Sequence, residues 1–160
     1  MAIEKVRAYF ETLGRADDIL EFPVSSATVA LAAHALGTEE KRIAKTMSFK
    51  HGDGCILVVA AGDARVDNKK FRAAFGMKAS MLHAEDVERI VGHDVGGVCP
   101  FAVNDGVNVY LDESLKRFAT VFPACGSANS AIELTCEELE KFGNSKGWVD
   151  VCRGWELPTA

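Results

Sequence analysis

At 160 residues, with 48% hydrophobic and 26% charged residues, the chain has the composition of one ordinary globular domain. A net charge of −5 argues against a generic nucleic-acid binder, and the longest apolar run, Cys55 to Ala61, is too short to span a bilayer. The start, Met1-Ala2-Ile3-Glu4-Lys5, lacks the apolar core of a secretion signal, and five cysteines without a CxxC pair fit a reducing compartment, so a cytoplasmic protein is expected.

Ile3, Val6, Phe10 and Leu13 recur at helical spacing, and Gly14 stops that helix. Ile19 to Val24 reads as a short strand. Ser25 or Ser26 then caps an alanine-rich helix through Leu36, closed by Gly37, and Glu39 to Arg42 adds a turn. Ile43 to Lys50 alternates like a strand and pairs with Cys55 to Ala61 across His51-Gly52-Asp53-Gly54. Asp67 caps a helix over Asn68 to Phe75, ended by Gly76. Ala79 to Leu82 is strand-like, and Ala84 to Val91 is a helix stopped by Gly92. Strand-like runs follow at Asn108 to Leu111, Phe118 to Phe122 and Ala131 to Leu134. Thr135-Cys136-Glu137-Glu138 is a capping box opening a helix to Phe142, and Trp148 to Cys152 is a last strand. No repeat or linker interrupts the chain. Helices, strands and hairpins alternating irregularly predict a single α/β domain, residues 1–160, with a mixed sheet covered by helices.

Two features carry chemistry. In Gly96-Gly97-Val98-Cys99-Pro100-Phe101, the two glycines let the backbone bend and approach a ligand, while the proline stiffens the loop. Bare amides there can hold an anion, a polarised carbonyl or a water. In Ile43-Ala44-Lys45-Thr46-Met47-Ser48-Phe49, the two-residue strand period puts Lys45 on the apolar face with Ile43, Met47 and Phe49. A lysine there either snorkels round an edge to solvent or stands at the wall of a pocket, facing a phosphate or an ester oxygen. The charge is also uneven: residues 41–78 hold nine basic residues against three acidic ones. That window is either a solvated surface or a patch for a phosphate backbone.

Ile43-Ala44-Lys45-Thr46-Met47, Asp67-Asn68-Lys69-Lys70, Gly96-Gly97-Val98-Cys99-Pro100-Phe101 and Gly126 with Ala131-Ile132-Glu133-Leu134 resemble, in order, the YbaK and prolyl-tRNA-synthetase-associated editing family. The resemblance runs from about Phe22 to about Val151. It implies a mixed α/β domain with a curved, barrel-like sheet, and a freestanding trans-editing deacylase that hydrolyses the ester of a mischarged aminoacyl-tRNA, such as tRNA-Pro carrying a small wrong amino acid. By that resemblance Lys45, Gly96 and Gly97 position ester and water. Phe22, Ser26, Val29, Thr46, Met47, Pro100, Phe101 and Gly126 line the substrate pocket, and Lys41, Lys50, Lys69 and Lys70 hold the tRNA. The partners implied are the acceptor end of an aminoacyl-tRNA and a synthetase, without membrane or DNA. Two places depart from the family pattern: Ser127 follows the late glycine where many relatives have a basic residue, and Cys99 precedes the proline.

Two rival readings stand beside this one. Cys99 lies six residues after His93 and is the candidate nucleophile of a cysteine hydrolase. The basic window alone would suit a non-catalytic RNA- or protein-binding module, although aromatic residues, at 8%, form no evident stacking platform. His34, His51, His83 and His93 lack metal-ligand spacing, and neither a P-loop nor a GxGxxG turn occurs, so neither metal nor cofactor is expected.

Overall fold

The computed structural model describes residues 2–155; Met1 and 156–160 of the expected domain lie outside the described residues. Helix α1 (Ala2–Thr12) packs Val6 and Phe10 into the core and ends where Gly14 takes φ 72°. Strand β1 (Leu20–Glu21) is followed by α2 (Val29–Leu36), the hairpin β2 (Ile43–His51) and β3 (Gly54–Ala61), and β4 (Arg65–Val66). Next come α3 (Asn68–Phe75), α4 (Ala84–Val91), β5 (Val107–Asp112), β6 (Phe122–Pro123) and β7 (Ser130–Ala131). The fold closes with α5 (Cys136–Phe142), β8 (Trp148–Val149) and β9 (Cys152–Arg153).

The main sheet has the order β6-β2-β3-β5-β8, with β2 and β3 antiparallel and the other pairs parallel. Two small sheets, β1 with β7 and β4 with β9, flank it. This is the mixed α/β architecture expected. The central strand β3 is buried along Cys55–Ala61, which is why it reads as an unbroken apolar run instead of an alternating one. On one face Phe49 meets Phe71 of α3 at 4.7 Å between ring centroids, and Phe71 meets Phe75 at 4.8 Å. Elsewhere in the core Phe10 packs edge-on against Phe101 at 4.9 Å and Phe142 at 5.9 Å.

Most predicted ends are observed. Asp67 accepts from the amides of Lys69 and Lys70, Gly37, Gly76 and Gly92 close their helices in the left-handed conformation, and the Thr135–Glu138 capping box is complete. The cap of α2 differs: Thr28, not Ser25 or Ser26, accepts from the Leu31 amide. Ser26 is drawn away because its own amide bonds Ala128 O at 2.6 Å.

The other differences are shorter strands. Ile19 to Val24 narrows to Leu20–Glu21, since Pro23 cannot continue a ladder. Ala79 to Leu82 contributes only a bridge from Met81 to Phe49. Phe118 to Phe122 and Ala131 to Leu134 shrink to Phe122–Pro123 and Ser130–Ala131, joined further along by a bridge between Val121 and Leu134. Trp148 to Cys152 divides because β8 joins β5 while β9 joins β4; between them the Val151 amide is held by the buried carboxylate of Asp112 at 2.9 Å.

Candidate active site

The site forms where the pairing of β2 lapses. One side of β2 is laddered to β3 from Ala44 to His51. On the other side β6 pairs with Ile43 and Ala44, and residues 80–82 take over further along, with Lys50 N donating to Ser80 O and Leu82 N to Ser48 O. Main-chain groups of alternate residues point to the same side of a strand, so those of Thr46 face the gap between these two partners. A cavity of about 120 Å³ opens there, walled by Ser26, Thr28, Val29 and Ala32 before and within α2, by Ile43, Ala44, Lys45 and Thr46, by Val95, Gly96 and Val98, and by Phe122, Ala124, Ser130 and Ala131. Thr46 Oγ1 is buried with no hydrogen-bond partner among the described residues. An unsatisfied buried hydroxyl costs about 1–3 kcal/mol, and a ligand that bonds to it recovers that cost.

Lys45 is half-buried and borders this cavity; it does not snorkel away into solvent. Its Nζ donates to the carbonyl of Ala64 in the turn after β3. Burial pushes its pKa below the ordinary lysine value; the neighbouring Cys152 and Asp63 act in the opposite sense, and Arg65 adds to the lowering. The result is a poorly solvated cation with donor capacity left over for a ligand, since an ammonium has three N–H groups. Ala64 was not legible in the sequence as its anchor: an alanine carbonyl leaves no signal.

The glycine loop reaches the same cavity for a different reason from the one its composition suggests. Neither Gly96 nor Gly97 adopts positive φ. Gly97 is required by close approach to backbone, and Gly96 sits in a tighter-than-usual contact. A Cβ on Gly97 would lie 2.5 Å from Ser127 N and 2.6 Å from Gly126 C, and one on Gly96 would lie 3.1 Å from the Ala128 Cβ and 3.4 Å from the Ala27 Cβ. The expected bare amides are corrected at Gly97, whose N–H donates to Asp94 O at 2.9 Å within a 3₁₀ turn. Gly96 forms part of the cavity wall, whereas Gly97 seats the loop on residues 126–127. Through Ala128, which accepts from Ser26, the α2 entry is tied to the same stack.

Of the remaining pocket residues, Ser26, Val29 and Thr46 line the cavity. Met47 lines a neighbouring hollow that also borders Lys45. Phe101 does not reach the cavity: it is 0% exposed and packs on Phe10. Pro100 is likewise buried, against Gly143. Gly126, at φ 91°, supports Gly97 from behind, and Phe22 is held outside the cavity by main-chain bonding to Asn129. Sequence reasoning missed Ile43, Phe122, Ala124 and Val95, which read simply as apolar residues. Among the basic residues, Lys41 pairs with Glu39 at 3.3 Å and Lys70 with Asp150 at 3.1 Å; Lys50 approaches His83 at 3.3 Å; Lys69 is exposed beside Asn68, Arg72 and Lys78.

The cysteine–histidine pair does come together. Cys99 Sγ lies 3.5 Å from His93 Nε2, which is 2.7 Å from Phe101 O. Both residues are 0% exposed and neither borders the cavity. Burial pushes the Cys99 thiol up to about 12 and lowers the His93 pKa, so neither the thiolate nor access for an ester is provided. Among the described residues no group of three or more His, Cys, Asp or Glu could hold a metal ion, and no helix is long and apolar enough to cross a membrane.

The fold and this site define a mixed α/β domain with a small, largely apolar cavity bordered by one half-buried lysine. The chain belongs to the aminoacyl-tRNA editing domain family, which it matches over residues 24–142. It is 55% identical over 157 residues to the uncharacterized protein YwhH of Bacillus subtilis, covering 98% of this chain and all of that one. It is also 33% identical over 92 residues to a proline–tRNA ligase of Caldicellulosiruptor saccharolyticus, covering 56% of this chain and 15% of the ligase. A crystal structure of a candidate trans-editing enzyme for prolyl tRNA synthetase superposes with a TM-score of 0.85 at 28% identity, covering 96% of this chain and 98% of that one.

Proposed function

We propose that this protein is a trans-editing hydrolase that deacylates a mischarged aminoacyl-tRNA, tRNA-Pro or a related tRNA bearing a small wrong amino acid. The observation that carries this reading is the cavity bordered together by Lys45, by Thr46 with its unpartnered hydroxyl, and by Gly96. Its relationship to a stretch of proline–tRNA ligases and its likeness to a candidate trans-editing enzyme for prolyl tRNA synthetase support the tRNA assignment.

An aminoacyl ester is already activated, so its hydrolysis needs a placed water and a stabilised oxyanion more than strong acid–base machinery. In this mechanism Lys45 binds the ester carbonyl or the terminal phosphate, and the Thr46 edge and Gly96 hold the water or the carbonyl oxygen. Water adds to the acyl carbon, and the carbon–oxygen bond to the ribose breaks. The departing ribose oxygen takes a proton, assisted by the adjacent hydroxyl of the terminal adenosine, leaving a free amino acid and an uncharged tRNA. The volume of about 120 Å³ and the Val29, Ala32, Ile43 and Phe122 walls favour a short apolar side chain. Discrimination by a methylene in such a pocket is worth only about 1–3 kcal/mol, which is why a separate editing step is useful in the first place.

The test is deacylation of alanyl-, cysteinyl-, seryl- and 2-aminobutyryl-tRNA by wild type and Lys45→Ala in parallel. We expect turnover of at least one ester by wild type and a loss of ~10²–10³ in rate for Lys45→Ala with the fold retained. Full activity in that variant removes Lys45 from the mechanism, and no turnover of any ester by wild type removes the assignment.

A further inference from the structure

Lys45 borders two cavities, only one of which the proposed aminoacyl site uses. The second, about 370 Å³, lies on the α3 side of β2 and is lined by Met47, Phe49, Ala79, Met81 and Arg65. Met81 is 56% exposed, yet its backbone is fixed: residue 81 bridges to Phe49, and the flanking Ser80 and Leu82 bond to Lys50 and Ser48. Met81 therefore lines the apolar hollow from a backbone position bonded to β2. Asn68 lines this hollow and also a third one of about 220 Å³, completed by Lys69, Arg72 and Lys78. The three hollows thus adjoin in series, the first and second sharing Lys45 and the second and third sharing Asn68.

Along this series cations cluster without carboxylate partners among the described residues. Lys41, Arg42, Lys70 and Arg117 are each paired with a carboxylate. Arg65, Lys69, Arg72 and Lys78 are exposed and form no ion pair with any described residue. Four unpaired cations beside an apolar hollow, in a chain of net charge −5, suit a ligand with a flat apolar body followed by anions.

Resting on the editing reading, we propose that the hollow between Lys45 and Met81 seats the terminal nucleoside of the RNA. Its base lies against the Met47 and Met81 thioethers, and Arg65, Lys69, Arg72 and Lys78 take the phosphates that precede it. The covalent structure of the substrate requires this order. The nucleoside is joined directly to the ester, so its seat must adjoin Lys45. The first cavity is filled by the amino acid, which leaves the second. Thioether sulfur against an aromatic ring is a favourable contact, and every base offers such a ring.

The test uses the trinucleotide CCA, titrated into protein carrying ¹³C-methyl methionine and followed by NMR. We expect the Met47 and Met81 methyl signals to shift saturably while Met77 stays in place. Met81→Glu should weaken CCA binding at least tenfold. The double variant Arg72→Glu/Lys78→Glu should weaken it similarly and lower the slope of log affinity against log salt by about 0.7 for each phosphate no longer neutralised. A saturable shift confined to Met77, or no saturable shift at Met47 and Met81, overturns the proposal. The titration needs no turnover, so it separates the two readings. Failure of wild type to deacylate any ester refutes the editing function without touching the nucleoside seat. Deacylation that depends on Lys45 but is unchanged in kcat/KM by Met81→Glu refutes the seat and leaves editing intact.

Discussion

Exchanging each of the paired glycines for alanine separates a wall of the site from its foundation. At Gly97 the new methyl would sit 2.5 Å from Ser127 N and 2.6 Å from Gly126 C, against main chain that has no rotamer to escape into. Overpacking of that kind costs about 1–3 kcal/mol, and contact with backbone places Gly97→Ala at about 2–3 kcal/mol. For a domain of this length that lowers Tm by roughly 4–12 °C. At Gly96 the nearest atoms are the methyls of Ala128 at 3.1 Å and Ala27 at 3.4 Å, which lie on exposed segments able to yield by a few tenths of an ångström. Replacing a glycine of negative φ also stiffens the unfolded chain, a gain of about 0.4–1 kcal/mol that offsets the tight contact. Gly96→Ala should therefore leave Tm within about 3 °C of wild type. Its methyl stands at the cavity wall, however, and kcat/KM for deacylation should fall at least ~10-fold, because small misplacements of a reacting group are expensive. Thermal unfolding and steady-state deacylation of both variants check this. A Gly97→Ala protein as stable as wild type, or a fully active Gly96→Ala, would refute the division of labour.

Cys99→Ser should retain kcat/KM within about threefold, and iodoacetamide should leave Cys99 unmodified in the folded protein, because a buried thiol held near 12 is neither ionised nor accessible; loss of activity in Cys99→Ser would restore the cysteine mechanism. Burial lowers the Lys45 pKa, so enzymatic deacylation, measured over the spontaneous rate, should decline with rising pH at a midpoint below 10.5, and Lys45→Arg should abolish that limb of the profile. Across the same window the unfolded chain binds more protons than the folded one, so this lysine's contribution to stability increases with pH while activity decreases. Glu138 is held below the usual carboxylate range, first by the Thr135 amide and then by Arg15 against an opposing burial effect; its contribution is present above pH 4.5 and is lost as pH falls through the folded value, so Glu138→Gln should flatten the acid limb of a Tm–pH profile. Thr135→Ala should cost about 1 kcal/mol by removing the hydroxyl half of the same cap.

The sequence was most legible where a local signal decides the outcome. Asp67, Thr135, Gly37, Gly76 and Gly92 end their helices through a side-chain oxygen or a positive φ, and both are properties of single residues. The Cys55–Ala61 run was legible as a strand, though not as one buried on both faces. Lys45 was recognisable because its charge contradicts its strand face. What failed was set by contacts remote in sequence. Ser26 looks as good a cap as Thr28 until its amide is claimed by Ala128, about one hundred residues away. Trp148 to Cys152 looks like one strand, but Asp112 pins Val151 and the chain changes sheet there. Phe101 looks like a pocket residue because it follows the glycine loop; its ring instead turns inward onto Phe10.

The location of the site follows from the same accounting of polar groups. A sheet edge that loses its partner must be capped by water, side chains or a ligand. Here β6 leaves β2 after Ala44 and residues 80–82 join only at Ser48, so the lapse is confined to the segment holding Lys45 and Thr46. Among the described residues two buried side-chain polar atoms lack a partner, Thr46 Oγ1 and His93 Nδ1. His93 is fully buried with its other nitrogen on Phe101 O, whereas Thr46 lies at the open gap and borders the same cavity as Lys45. Because β6 pairs no further than Ala44, the main-chain groups of Thr46 are left facing the cavity that Lys45 also borders, and the proposed reaction calls for donors of that kind.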